Sequence, residues 1–113
     1  MNPLIKMDKQ HKELVLTILK KNIPANTLVW VFGSRANRKP KLFSDLDLAL
    51  DAGSPLPYST LIDLKHDFDE SELPYKVDLV DWHSIDKSFQ EIIDNDRTYL
   101  LSKPLGPVSN DKI

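Results

Sequence analysis

Asp45 and Asp47 are separated by one leucine in the run Asp45-Leu46-Asp47-Leu48-Ala49-Leu50-Asp51, where leucine holds every second position. Period-two alternation is a strand pattern. It puts Leu46, Leu48 and Leu50 on one face and Asp45, Asp47, Ala49 and Asp51 on the other. The Asp45 and Asp47 carboxylates then leave the same face, about 6.5–7 Å apart at the backbone. Burial of the leucines fixes the register, so these aspartates must face a cleft or solvent. Held side by side they repel one another, and each is costly to desolvate. A pair of magnesium ions removes that repulsion, and oxygen-only ligation with open water positions suits magnesium better than zinc. Two such ions about 3.5–4 Å apart can clamp the attacking and leaving oxygens of an in-line phosphoryl displacement. Sites of this kind recruit a carboxylate from another strand. In Val77-Asp78-Leu79-Val80-Asp81, Asp78 lies opposite the apolar parity of Val77 and Leu79 and is the stronger candidate. Asp81 shares the core parity, lies at the strand end and ranks below it.

Gly33 and Ser34 supply the other half of a phosphate site. A buried strand that ends in glycine and turns leaves backbone N–H groups pointing outward, which is an anion site. Gly33 lets the backbone approach a phosphate, Ser34 adds a hydroxyl, and Arg35 directly follows with a guanidinium able to bind phosphate bidentately. For Arg38, Lys39 and Lys41 an ordinary solvated loop is as good a reading as phosphate binding. His11, His66 and His83 are scattered without ligand spacing and read as surface residues. Trp30 reads as core, and Trp82 as packing rather than a base-stacking or interface residue.

The elements that must position these groups follow from periodicity. Residues 8–22 form an expected helix, with Leu14, Val15, Ile18 and Leu19 on one stripe and Pro24 as the stop. Residues 28–32, Leu-Val-Trp-Val-Phe, read as a central strand buried on both faces. A basic segment, residues 35–41, leads to the Asp-x-Asp strand at 45–51. A turn-forming stretch then precedes a helix over 58–70 that buries Leu61, Leu64 or the stem of Lys65, and Phe68. A third strand covers 77–81, and a helix over 85–94 carries Ile85, Phe89, Ile92 and Ile93 at helical spacing. Residues 99–101 add a short extended segment. The order predicts an α/β (α+β) domain over residues 1–101, a small mixed sheet flanked by helices, with residues 102–113 as a loose tail.

With 113 residues there is room for one core. Hydrophobic residues at 41% and charged residues at 28% argue against disorder. A net charge of −2 gives no global attraction for long nucleic acid or an anionic membrane. The absence of cysteine excludes disulfides, zinc-thiolate sites and cysteine nucleophiles, and suits a reducing cytoplasm. No apolar run approaches the roughly 18 residues of a membrane span, and the N-terminal residues lack a signal-type apolar stretch.

Gly33-Ser34, ten residues, then Asp45-Leu46-Asp47 resembles the signature of the nucleotidyltransferase superfamily that includes DNA polymerase beta. The run VFGSRANRKPKLFSDLDLAL is similar to that of the minimal nucleotidyltransferase (MNT) domains, and KVDLVDW fits their third-aspartate strand. No motif position departs from the pattern. The resemblance implies that Asp45 and Asp47 ligate both magnesium ions. Asp78 would ligate the catalytic ion and help deprotonate the attacking hydroxyl, and Gly33 and Ser34 would grip the β- and γ-phosphates. The reaction implied is NMP transfer from an NTP, ATP foremost, with release of pyrophosphate. Many such small proteins are similar to the antitoxin half of two-gene modules whose other half is an all-helical HEPN ribonuclease, which the MNT protein silences by adding AMP to a tyrosine. The chain has no room for a domain that binds template or tRNA, which favours a protein acceptor. The rival expectation is a catalytically idle antitoxin that neutralises a helical partner by binding alone.

Overall fold

The two apolar runs at the centre of the sequence become the two central strands of a mixed sheet. The computed structural model describes residues 7–33 and 45–100. Among them, β1 (Leu28–Phe32), β2 (Leu46–Asp51), β3 (Val77–Asp81) and β4 (Thr98–Tyr99) are arranged in the order β3-β2-β1-β4. β1 runs antiparallel to β2 and to β4, whereas β2 and β3 are parallel. The parallel pair requires a crossover, and α2 (Tyr58–Asp69) supplies it.

Alternation sorts the side chains as expected. Leu46, Leu48 and Leu50 are fully buried and join Val29, Val31 and Val77 in the main core, against Val15, Ile18 and Leu19 of α1 (Lys9–Asn22) and Leu64 and Phe68 of α2. Each buried leucine contributes about 1.5–3 kcal/mol, so a one-residue slip of β2 would forfeit several such terms and bury Asp47 instead. The opposite face carries a smaller cluster of Trp30, Ala49 and Ile93, flanked by Phe32, Val80, Trp82, Ile85 and Phe89, with α3 (Lys87–Asp96) packed over it. β1 is thus buried on both faces, and Trp30 and Trp82 meet edge to face at 5.1 Å, both as packing residues.

The helix ends are set by local chemistry. Asp8 is the cap of α1 rather than its first residue, and its carboxylate accepts from Gln10 N at 2.8 Å. Asn22 donates to Asp67 at 2.9 Å and Lys21 stands 3.5 Å from the same carboxylate, which clasps the end of α1 to α2. α3 begins two residues later than the periodicity suggests, because Asp86 caps it by accepting from Phe89 N at 2.8 Å. Ile85 precedes that helix. The contacts of Phe89 and Ile93 with the sheet set its rotation, and Ile92 is left outward and 56% exposed. β4 begins one residue before the expected extended segment, and Leu100 just past it is fully buried. The expected tail lies outside the described residues.

Candidate active site

At one end of the central strands the sheet presents a row of three positions. The antiparallel register places Phe32 beside Asp47, and the parallel register places Asp47 beside Asp78. Gly33 follows Phe32, and Asp45 immediately precedes β2. Phe32, Asp47 and Asp78 are therefore level across β1, β2 and β3, with Gly33 one residue beyond Phe32. Asp45 lies at the same end and is exposed.

Gly33 is required here for two reasons. Its φ is +78°, a conformation that side-chain-bearing residues rarely adopt. A Cβ at this position would also collide with Asp47 Oδ2 and lie 3.4 Å from Asp47 Cγ. The carboxylate of Asp47 thus rests over the bare Cα of Gly33, and the glycine makes room for the acid as well as for any ligand. That contact is invisible in the sequence, where the two are fourteen positions apart.

Among the described residues the electrostatics of the row are unbalanced. Asp47 is half-buried, and its pKa is raised above the ordinary carboxylate value, first by burial, then by the negative charges of Asp78 and Asp45, and last by a hydrogen bond with Asp78. The one cation seen beside the row among the described residues is Lys76, whose Nζ lies 3.6 Å from Asp78 Oδ1; both side chains are about half exposed. A strand face that gathers carboxylates faster than counter-ions fits a divalent cation: an oxygen-only donor set, hard in character, with a repulsion that the ion relieves. Among the described residues no three His, Asp or Glu side chains already converge as a ready-made cage.

Asp81 is a different kind of residue. It is 4% exposed, its Oδ2 accepts from Leu56 N and Ser84 Oγ, each at 2.8 Å, and its Oδ1 accepts from His83 N at 3.2 Å. Both oxygens of Asp81 are engaged by the fold. His83 is a partial departure from a plain surface residue, since its Nε2 lies 2.6 Å from Asp51 Oδ1. Lys76 is the residue of the site region that sequence reasoning passed over, and its position directly before β3 was the available signal. Ser34, Arg35, Arg38, Lys39 and Lys41 lie outside the described residues.

This geometry sits on a chain whose family is shown. Residues 13–104 match the model of the polymerase beta nucleotidyltransferase family, and the chain belongs to that family. Within it, the chain is 43% identical over 95 residues to a Haemophilus influenzae protein named "Probable protein adenylyltransferase MntA", covering 82% of each chain. It is also similar to a solved toxin–antitoxin structure with AMP-PNP, at 27% identity and a TM-score of 0.67 over 80% of this chain and 72% of that one. A tri-AMPylated Shewanella oneidensis HEPN toxin in complex with its MNT antitoxin matches at 24% identity and a TM-score of 0.64, over 84% and 72% of the two chains, which speaks for the fold.

Proposed function

We propose that this chain is a magnesium-dependent protein adenylyltransferase that transfers AMP from ATP to a tyrosine hydroxyl of a HEPN-type toxin and thereby acts as its antitoxin. The observation that carries the reading is the register of Asp47 with Asp78 beside the bare Gly33, a carboxylate row in which burial and then mutual repulsion among the described residues raise the Asp47 pKa. Asp45, Asp47 and Asp78 would hold two magnesium ions. When bound, these ions supply charge neutralisation at the triphosphate and acidify the attacking hydroxyl. The backbone at Gly33, with Ser34 and Arg35 beyond it, would grip the β- and γ-phosphates. The hydroxyl oxygen forms a bond to the α-phosphorus, the bond from that phosphorus to the α,β-bridging oxygen breaks, and pyrophosphate leaves. Asp78, on the outer strand of the row and about half exposed, is placed to accept the hydroxyl proton.

The names of the relatives support the same reading: a protein adenylyltransferase on one side, a toxin–antitoxin pair with an ATP analogue on the other. Among the described residues no helix is long and apolar enough to cross a membrane. The setting we propose is the cytoplasm. The test is a label-transfer assay with the chain, magnesium and a HEPN-type partner. ATP is labelled at the α-phosphate in one reaction and at the γ-phosphate in another. Transfer of α-label alone to the partner, lost in the Asp45→Asn, Asp47→Asn double variant, is the expected result. If neither label transfers while the partner is still bound and silenced, the chain is a binding-only antitoxin and the enzymatic reading fails.

A further inference from the structure

β3 is an edge strand, and its open side lies beside the carboxylate row. Leu46 N donates to Lys76 O at 2.9 Å, and Leu46 is in register with Val77. In a parallel ladder this turns the backbone groups of Lys76, Asp78 and Val80 toward β2 and those of Val77 and Leu79 toward the free edge. No described residue pairs with Val77 or Leu79 on that side. The edge opens into a groove of about 260 Å³ between β3 and α2, lined by Tyr58, Leu61, Ile62, Lys65, Val77, Asp78 and Leu79. Two of the three large hydrophobic side chains that the described structure leaves exposed, Tyr58 at 77% and Ile62 at 50%, stand on this groove. A free strand edge beside exposed apolar side chains is normally blunted by charge, proline or a covering element. Among the described residues no element covers this edge strand; it contains no proline, and its charges, Asp78 and Asp81 with Lys76 directly before it, leave the outward-turned Val77 and Leu79 apolar.

We propose that this edge and groove dock the acceptor protein through an extended segment that adds to β3 as a further strand and presents its hydroxyl to Asp78. The proposal rests on the protein-acceptor reading above and names the surface that delivers the acceptor. The occupant follows from the geometry. An added strand lies about 4.8 Å from β3, and residues opposite one another share a face. The residue opposite Asp78 therefore projects on the carboxylate side, next to the group that takes the hydroxyl proton. Its neighbours before and after face the other way, toward Leu61, Ile62 and Tyr58, and are apolar. Lys65 Nζ, already paired with Asp69 at 3.7 Å, stands at the groove and favours an acidic residue at the segment's end. Asp78 belongs to both the groove and the row, so the docking surface is continuous with the candidate active site.

The experiment is amide hydrogen exchange on the full chain, alone and saturated with a purified HEPN-type partner, alongside transfer kinetics of the wild type and an Ile62→Glu variant. Ile62 and Tyr58 are surface residues outside the carboxylate row, so the variant should fold and keep the ATP affinity of the wild type, which circular dichroism and nucleotide titration check. The expected result is slowing of the Val77 and Leu79 amides by about tenfold or more when the partner is bound. Ile62→Glu should raise the KM for the partner by about tenfold while the KM for ATP stays within about twofold. Unchanged amide exchange in the saturated complex overturns the proposal even if AMP transfer is observed. Protection that appears in the chain alone and grows with its concentration also overturns it, since the occupant is then a second copy. Protection by the partner without any transfer keeps the docking surface and sinks the adenylyltransferase reading instead.

Discussion

β2 and β3 carry aspartates at both ends, and the two ends treat them in opposite ways. At one end Asp47 and Asp78 face each other in register with Asp45 nearby, and Lys76 is the cation beside them among the described residues. At the other end, Asp81 accepts from two backbone N–H groups and a serine hydroxyl, and Asp51 accepts from Gly53 N at 2.9 Å and meets His83 at 2.6 Å. Both ends bring carboxylates together on the same pair of strands. Among the described residues, only one end supplies the donors that carboxylates removed from water demand. On the proposed reading the difference separates a carboxylate that builds the fold from one kept available for a ligand, and it can be tested by asking which property each substitution damages.

The largest contrast lies in activity. Asp47→Asn should lower AMP transfer by roughly a thousandfold or more, because on the proposed reading it would remove one of the carboxylates that hold magnesium, whose charge would supply the main stabilisation. The folded, metal-free variant should at the same time be as stable as the wild type or more so, since a repelled carboxylate has been replaced by a neutral amide. Label transfer and thermal melting in EDTA measure the two halves. A variant that loses activity only by unfolding would break the contrast.

Asp81→Ala should show the reverse. It leaves the N–H groups of Leu56 and His83 and the hydroxyl of Ser84 without their acceptor, at a cost of about 2–4 kcal/mol of stability. Denaturant unfolding measures that loss. At a temperature where the variant is fully folded, its transfer rate should stay within a few-fold of the wild type. A loss of transfer in a variant of undiminished stability would mean that Asp81 belongs with the chemistry after all.

How much of this contrast could be read beforehand depends on the range of the interactions. The leucine alternation placed Asp45 and Asp47 on a common face, and parity separated Asp78 from Asp81, because strand periodicity is a local property of the chain. Three helices and the main strands were legible for the same reason. The strand order was not, nor the parallel pairing that sets Asp78 beside Asp47, since pairing is decided by packing between segments some thirty positions apart. The donors around Asp81 come from the β2–α2 connection and the 3-10 turn Trp82–Ser84, and no spacing rule announces them. Ile92 fell outside the packed face because a helix of ten residues has its rotation fixed by two anchors, Phe89 and Ile93.

Gly33→Ala should sharpen the account of the row with a smaller effect. A non-glycine residue at φ +78° costs on the order of 1–2 kcal/mol, and the new methyl must displace the Asp47 carboxylate. Loss of transfer should therefore exceed what the loss of stability explains, about tenfold or more in kcat/KM for ATP at a temperature where the variant is folded. Activity that falls only in step with stability would make Gly33 a backbone requirement and nothing more.

The smallest effect is the pH dependence of the metal-free protein, and its sign separates the two ends. Asp47 has a folded-state pKa raised by burial and by Asp78 and Asp45, so over the window between the ordinary carboxylate value and the raised one the native state binds more protons than the unfolded chain. Stability must then fall as pH rises through that window, which is the reverse of the usual carboxylate behaviour. Melting temperatures in EDTA from about pH 4 upward should show this decline superimposed on the behaviour of the other acids. Asp47→Asn should remove it, and so should saturating magnesium, because a bound cation favours the ionised form. Asp81→Ala, though far more destabilising, should leave the decline in place. A decline that survives both Asp47→Asn and magnesium would locate the unbalanced charge elsewhere and dissolve the distinction between the two ends.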